Sequence, residues 1–319
     1  MPAVHRRMVE SSMPTCRCER EYMKRGNVLA SAVLATGLCA LTSIVGAETL
    51  RKVSDGNKIT VSYRESSVPF SYLISPTQPV GFAVDLTAAI VDDVRTTLKR
   101  PNLEVAYIPV TSQTRIPLLI NGTYDLECGS TTNNAARGRE VTFAISHFYT
   151  GTRLLAKKAS AIRNYTDLAN KAVTTTTGST NEKVLRKYSA DNNLGMQIVL
   201  GKDYGDSLRL VEEGSAVAFA MDDILLFGLK ANAKDPDSLE VVGDTLQVEP
   251  YGCMLRKDDP EFKALVDRTI TRLMKSGEFE KMYAKWFESP IPPRGTTLGM
   301  PMSEQLKANM TALSDQPEQ

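Results

Sequence analysis

Beyond Lys58 the apolar residues of this chain switch repeatedly between a two-residue and a 3.6-residue period, and that alternation limits the possible folds more than any other feature. Ile59, Val61 and Tyr63 alternate as a strand, whereas Ile90, Val91, Val94 and Leu98 share one face of a helix over residues 85–98. Leu103, Val105 and Tyr107 form the next alternating strand. Residues 116–120 read as a short helix stopped by Asn121-Gly122, and residues 124–128 as a further strand. A second run has the same order: strands over 152–156, 172–176, 197–200, 217–221 and 240–242, with helices over 180–189, 207–213 and 223–233. Residues 251–255 predict another strand, and 260–287 a helical region broken near Ser276-Gly277. Such βαβα order predicts an α/β protein with largely parallel sheets covered by helices, in two units. Ligands of open α/β sheets bind outside the carboxyl ends of strands, so function is expected between the units.

The front of the chain stands apart from this pattern. Met23-Lys24-Arg25 is basic, residues 28–45 are mostly apolar but diluted by Ser31, Thr36, Thr42 and Ser43, and Val45-Gly46-Ala47 offers small residues for cleavage. Residues 1–47 are therefore expected to be a leader, with the signal peptide at 23–47; an uncleaved membrane anchor is the alternative. Setting them aside removes six basic and three acidic residues from totals of 38 and 37, leaving a nearly neutral body with no electrostatic footprint for nucleic acid. The same cut removes Cys16, Cys18 and Cys39 and leaves Cys128 and Cys253. In an oxidising compartment an even pair suggests one disulfide, against the alternative of two buried thiols. One remaining histidine and two separated cysteines have no metal-ligand spacing.

Polar residues gather where strands end. Residues 127–137, ECGSTTNNAAR, follow the predicted strand 124–128; Ser130, Thr131 and Thr132 bring hydroxyls, and Arg137 a donor fork that fits a carboxylate. The same residues could equally bond their own backbone as an ordinary loop. Ser179 with Glu182 three residues on is a capping-box pattern, and N–H groups at such a helix start attract anions. The apolar strand 217–221 ends in Asp222 and Asp223; Asp222 could accept from an ammonium group while Asp223 caps the next helix, or both could be caps. Arg64 and Arg115 also follow strands, and together with Arg137 they would make an anion-selective cleft if they converge.

RESSVPFSY (64–72), TSQTRIPLLINGTYDLECGSTTNNAAR (111–137), VAFAMDD (217–223) and YGCMLRKDDPEFK (251–263) together resemble the periplasmic glutamate/aspartate-binding proteins of ABC transporters, in the polar amino-acid family of solute-binding proteins. The similarity runs from about residue 55 to 293. It implies a bilobal periplasmic-binding-protein-like fold with two crossover segments, near residues 150–153 and 248–251. Lobe 1 would be discontinuous, 48–150 plus 250–293, and lobe 2 would be 151–249; residues 294–319, which the resemblance barely reaches, read as an irregular tail with one short helix near 303–312. Position by position, the resemblance implies that Arg137, Thr132 and the helix start at Thr180 clamp a ligand α-carboxylate. Ser130 and Asp222 would hold the α-ammonium, and Arg64, Arg115 and Ser112 the side-chain carboxylate. Tyr204 in GKDYGDS stands where the family has histidine near that carboxylate, and Ala83 in GFAVDL where the wider family has an acid.

The implied protein is a monomeric, non-enzymatic periplasmic receptor for L-glutamate or L-aspartate, without cofactor or metal, serving a membrane-embedded ABC permease. An alternative is an enzyme on the same scaffold, a cyclohexadienyl or arogenate dehydratase-like lyase. It would need an acid or base in the cleft, and the candidates are His147, Glu65 and Asp222. A sensory amino-acid-binding component is the other alternative.

Overall fold

The computed structural model describes residues 48–317; the leader expected at 1–47, with Cys16, Cys18 and Cys39, lies outside them. A helix, Glu48–Gly56, precedes the strand Lys58–Tyr63, which pairs in parallel with Glu104–Pro109 from Lys58↔Glu104 to Tyr63↔Pro109. Between these strands lie a three-stranded antiparallel sheet (Ser66–Ser67, Ser71–Ser75, Gln78–Val80) and the helix Phe82–Leu98.

Where a strand is expected over 124–128, the structure has two isolated bridges, Val61↔Leu126 and Glu127↔Met254. The reason is a change of partner. Asp125 N–H donates to Thr60 O at 2.7 Å, but two residues later Glu127 N–H donates to Met254 O at 3.2 Å, so neither ladder grows. The expected strand 251–255 is likewise two strands, Val248–Tyr251 and Met254–Arg256. Gly252 N–H turns aside to Thr131 O at 3.1 Å, and the chain then pairs with Val141–Phe143.

The second sheet has the order Leu239–Val242, Phe148–Lys157, Ala218–Asp222, Ala172–Thr176, Gln197–Gly201, with Val248–Tyr251 also pairing Phe148–Lys157. Phe148–Lys157 is the long member. Its start pairs with Val248–Tyr251 (Phe148↔Tyr251 to Gly151↔Val248) and its end with Leu239–Val242 and Ala218–Asp222. Ala218–Asp222, Ala172–Thr176 and Gln197–Gly201 are mutually parallel, with the helices Thr180–Asp191 and Tyr204–Glu212 as connections. Local sequence explains these helices: Ser179 and Asp203 accept from the N–H groups of Glu182 and Asp206. The long helix Pro260–Ser276 begins with Asp259 accepting from Phe262 N–H and proline in the first turn, and ends at Gly277, φ +78°.

An aromatic cluster anchors both crossover strands. Phe148 lies 4.9 Å from Phe70 and 5.0 Å from Phe287 between ring centroids, and Tyr251 lies 5.3 Å from Phe70. All four rings are buried, each contributing about 1.5–3 kcal/mol of burial. Cys128 and Cys253 are joined by a disulfide. Among the described residues, no helix is long and apolar enough to cross a membrane.

His147 is fully buried beside Phe82, with Nε2 3.1 Å from Gly129 O. Burial pushes its pKa down to about 4, against the opposing pull of that carbonyl. An unfolded histidine titrates near 6.5, so between pH 6.5 and 4 the unfolded chain binds the extra proton and stability falls as pH drops. This residue's share is about 3 kcal/mol, complete near pH 4. Denaturant titrations across this range should show that slope, and His147→Gln should remove it.

Candidate functional site

All nine side chains expected to bind ligand are buried, and they form three connected groups. The first gathers around Tyr204, at the start of the helix Tyr204–Glu212. Its hydroxyl lies 3.4 Å from Arg64 Nη1, 3.3 Å from Ser112 Oγ and 3.2 Å from Ser130 Oγ, and the Arg64 guanidinium sits 4.6 Å over its ring. Arg64 Nη2 also donates to Ser112 Oγ at 3.2 Å. Burial would raise the phenol's pKa, but the charges of Arg64 and Arg115 outweigh it and hold the group below its usual value.

Arg115 stands one contact further back. Its Nη1 donates to Ser130 O at 3.0 Å and to Thr131 Oγ1, and lies 3.9 Å from Glu127 Oε1. It therefore props the 130–131 backbone and supplies positive charge beside Arg64.

In the second group, Arg137 donates from Nη1 to Thr132 O at 2.9 Å and from Nη2 to Gly178 O at 3.4 Å. Thr132 Oγ1 lies 3.3 Å from Thr180 Oγ1, and both hydroxyls donate to the Glu249 carboxylate, Thr180 at 2.6 Å. Burial and the nearby Arg115 charge lower the Arg137 pKa to about 10, so it stays cationic at neutral pH. Gly178 permits the close approach here: at φ +75°, a Cβ would come within 2.8 Å of Gln113 Cα across the cleft. A hollow of about 410 Å³, lined by Ser112, Gln113, Asn134, Arg137, Gly178 and Thr180 among others, opens outside this point. A larger one, about 780 Å³ between the helices Phe82–Leu98 and Pro260–Ser276, touches none of these side chains.

The third group centres on Asp222, which accepts from Asn181 Nδ2 at 2.9 Å and from the Tyr251 hydroxyl. Burial, reinforced by the negative charge of Glu249, pushes its pKa up to about 8. An incoming ammonium group would relieve that strain on the ionised form. Asp223 is turned to the helix start instead, accepting from Ile224 N–H at 2.7 Å and from Thr150 Oγ1 at 2.6 Å. The capping-box expectation is half met, because Glu182 reaches Gly178 N–H at 3.3 Å rather than that of Ser179.

Sequence reasoning missed Glu249, Glu127, Asn181 and Tyr251. An acid between Val248 and Pro250 in a crossover strand is the one signal for Glu249; the others meet their partners only through tertiary pairing. Glu65 makes no described side-chain contact to these groups, and His147 is held against a backbone carbonyl in the neutral state. Among the described residues, no cluster of three or more His, Cys, Asp or Glu side chains could hold a metal ion.

Taken together, these buried groups hold two guanidinium groups with hydroxyl neighbours, Arg64 and Arg137, a third guanidinium, Arg115, behind them, and a buried acid, Asp222, residue types that can neutralise anions and a cation. The family model for bacterial extracellular solute-binding proteins, family 3, matches residues 59–289. The glutamate/aspartate import solute-binding protein of Salmonella typhimurium is 48% identical over 295 residues, 90% of this chain and 97% of that protein. The L-glutamate/L-aspartate-binding protein of Pseudomonas aeruginosa is 47% identical over 293 residues, 91% and 96% of the two chains. Among solved structures, a mutant of ArgBP from T. maritima superposes with a TM-score of 0.67 at 23% identity, over 75% of this chain and 99% of that one. That likeness bears on the fold alone, and the fold it shares is bilobal.

Proposed function

The chain belongs to the bacterial extracellular solute-binding proteins, family 3, and from that premise we propose that it captures L-glutamate or L-aspartate between two closing lobes and delivers it to the membrane permease of an ABC transporter. The Salmonella typhimurium relative is named for import and the Pseudomonas aeruginosa one for binding, which favours capture over catalysis. Lobe 1 is residues 48–150 with 250–293, lobe 2 is 151–249, and 294–319 is a tail. Residues 1–47 direct the chain to the periplasm, where it works as a monomer.

The observation that supports this reading is that Arg64, Ser112, Ser130 and Tyr204 meet one another, Thr132 meets both Arg137 and Thr180, and Arg137 lies within reach of the charges of Tyr204 and Asp222. Arg137, Thr132 and Thr180 clamp the α-carboxylate; Ser130 and Asp222 hold the α-ammonium. Arg64, Ser112 and Tyr204, backed by Arg115, take the side-chain carboxylate, which is the group that separates an acidic ligand from an amide. Closure is needed because each lobe alone leaves those charges half solvated.

Calorimetric titration with L-aspartate, L-glutamate, L-asparagine and L-glutamine tests the proposal. Heat is expected with the two acids and little with the amides, and tighter binding of an amide would overturn the acidic-ligand assignment.

A further inference from the structure

Beyond residues 59–289, which the family model matches, the chain ends in a turn that grips the cleft loop. Ser303 caps the helix Glu304–Ala312 by accepting from Leu306 N–H at 3.2 Å, and the helix buries Leu306 and Asn309. Leu313 then reverses the chain at φ 52°. The Asn309 amide secures the reversal: its Nδ2 donates to Ser146 O at 2.8 Å and Ser314 O at 3.3 Å, and its Oδ1 accepts from Ser314 N–H at 2.9 Å. Ser314 O accepts from Ser146 N–H at 3.0 Å, and Asp315 O accepts from Asn133 Nδ2 at 2.6 Å. The Asp315 carboxylate pairs with Lys263 at 2.8 Å.

This turn holds one end of the 129–133 loop directly, at Asn133, and reaches the other end through Ser146 and its neighbour His147. Asn133 directly follows Thr132, and its backbone N–H donates to Pro250 O at 2.8 Å. Ser146 directly precedes His147, whose ring meets Gly129 O at the loop's other end. Between those ends lie Ser130 and Thr132, whose hydroxyls face Tyr204 and Thr180 of the opposite lobe.

We infer that Ser314 and Asp315 form a positioning strap: acting through Asn133 and Ser146, they hold the 129–133 loop in the geometry from which Ser130 and Thr132 meet a ligand. The inference rests on the amino-acid-capture reading above. A loop that loses one anchor spends less time in its binding-competent form, and apparent affinity falls by that fraction.

Three chains test it: the full chain with Asn133→Ala, a chain ending at Leu313, and the two changes combined. Each is titrated with L-glutamate and L-aspartate, and amide hydrogen exchange is followed at residues 129–133. Asn133→Ala is expected to weaken affinity about five- to tenfold, the range of one lost hydrogen bond, and the truncation, which also removes the contacts of Ser314 and Asp315 to Ser146 and Lys263, at least as much. The combination should be no weaker than the truncation alone, because Asn133 has already lost its acceptor. Asn133→Ala should lower the melting midpoint of the unliganded protein by only about 2–5 °C, the range of one lost hydrogen bond, while exchange at 129–133 quickens and that of the helix Pro260–Ser276 does not. Affinities within twofold of the unmodified chain, or losses that add in the combination, overturn the inference. Should the shortened chain fail to fold, Asn133→Ala decides by the same measures. Should the unmodified chain bind neither acid, the proposed function is what fails; exchange at 129–133 then decides the strap, unchanged rates in Asn133→Ala counting against it.

Discussion

Replacing Arg137 with alanine should weaken capture of L-glutamate or L-aspartate by a factor of roughly 30 to several thousand, the equivalent of about 2–5 kcal/mol. The size follows from burial. Arg137 is 8% exposed and its two bonds within the protein go to the carbonyls of Thr132 and Gly178, one on each side of the cleft. A guanidinium carries five N–H donors, so donors remain for a ligand carboxylate after those carbonyls are satisfied. In the proposed clamp, truncation removes the charge that balances the carboxylate and weakens the pairing of a desolvated anion. It also unties the Thr132–Gly178 link that brings the two sides together. Arg137→Lys should recover only part of the loss, because an ammonium restores charge without the planar fork. Calorimetry on both variants, with melting midpoints as the control for folding, measures the effect. An alanine variant that stays folded and binds within threefold of the parent would remove Arg137 from the clamp.

Much of this geometry can be traced to sequence, and the exceptions share a cause. The strand Ala172–Thr176 coincides with its expected range, because a buried parallel strand needs no partner pattern beyond a short β-prone run bounded by turn residues. The helix start at Thr180 follows from its local cap, Ser179, whereas the helix expected over 207–213 starts three residues earlier, at Tyr204, because Asp203 caps it. Three kinds of structure escape such reading. The strands Ser66–Ser67 and Gln78–Val80 are too short to show a period, and Pro79 interrupts the second. Residues 124–128 and 251–255 have strand-like composition but change hydrogen-bonding partners midway, which depends on what the remote chain offers. In the cleft, the residue types at strand ends were legible, although an ordinary loop or helix caps would account for the same hydroxyls and acids. Their pairings were not. Thr132 meets Glu249 117 positions away and Tyr204 meets Arg64 across 140, and no local pattern encodes those distances.

Breaking the Cys128–Cys253 disulfide, by reduction or by the paired change Cys128→Ala and Cys253→Ala, should lower the unfolding free energy by about 3–5 kcal/mol. The bond spans 125 positions, so in the unfolded chain it closes a long loop and removes much of that state's freedom. For a domain of this size, the melting midpoint should fall by about 10 °C or somewhat more. Position adds a second consequence. Cys128 lies just before the loop that carries Ser130 and Thr132, and Cys253 lies two residues after Tyr251, whose hydroxyl donates to Asp222. Gly252 N–H already reaches Thr131 O, so one short stretch of chain on each side is held by both a covalent and a hydrogen bond. Without the covalent tie the loop and the Asp222 support separate more easily, and ligand release should quicken. Saturating ligand should restore part of the lost stability, since ligand at one hundred times its dissociation constant adds about 2.7 kcal/mol to the folded state. Thermal melts with and without reductant, each repeated with saturating L-glutamate, separate the two effects. Equal midpoints in the oxidised and reduced protein would mean that hydrogen bonds alone hold these segments together, and that the disulfide constrains neither state.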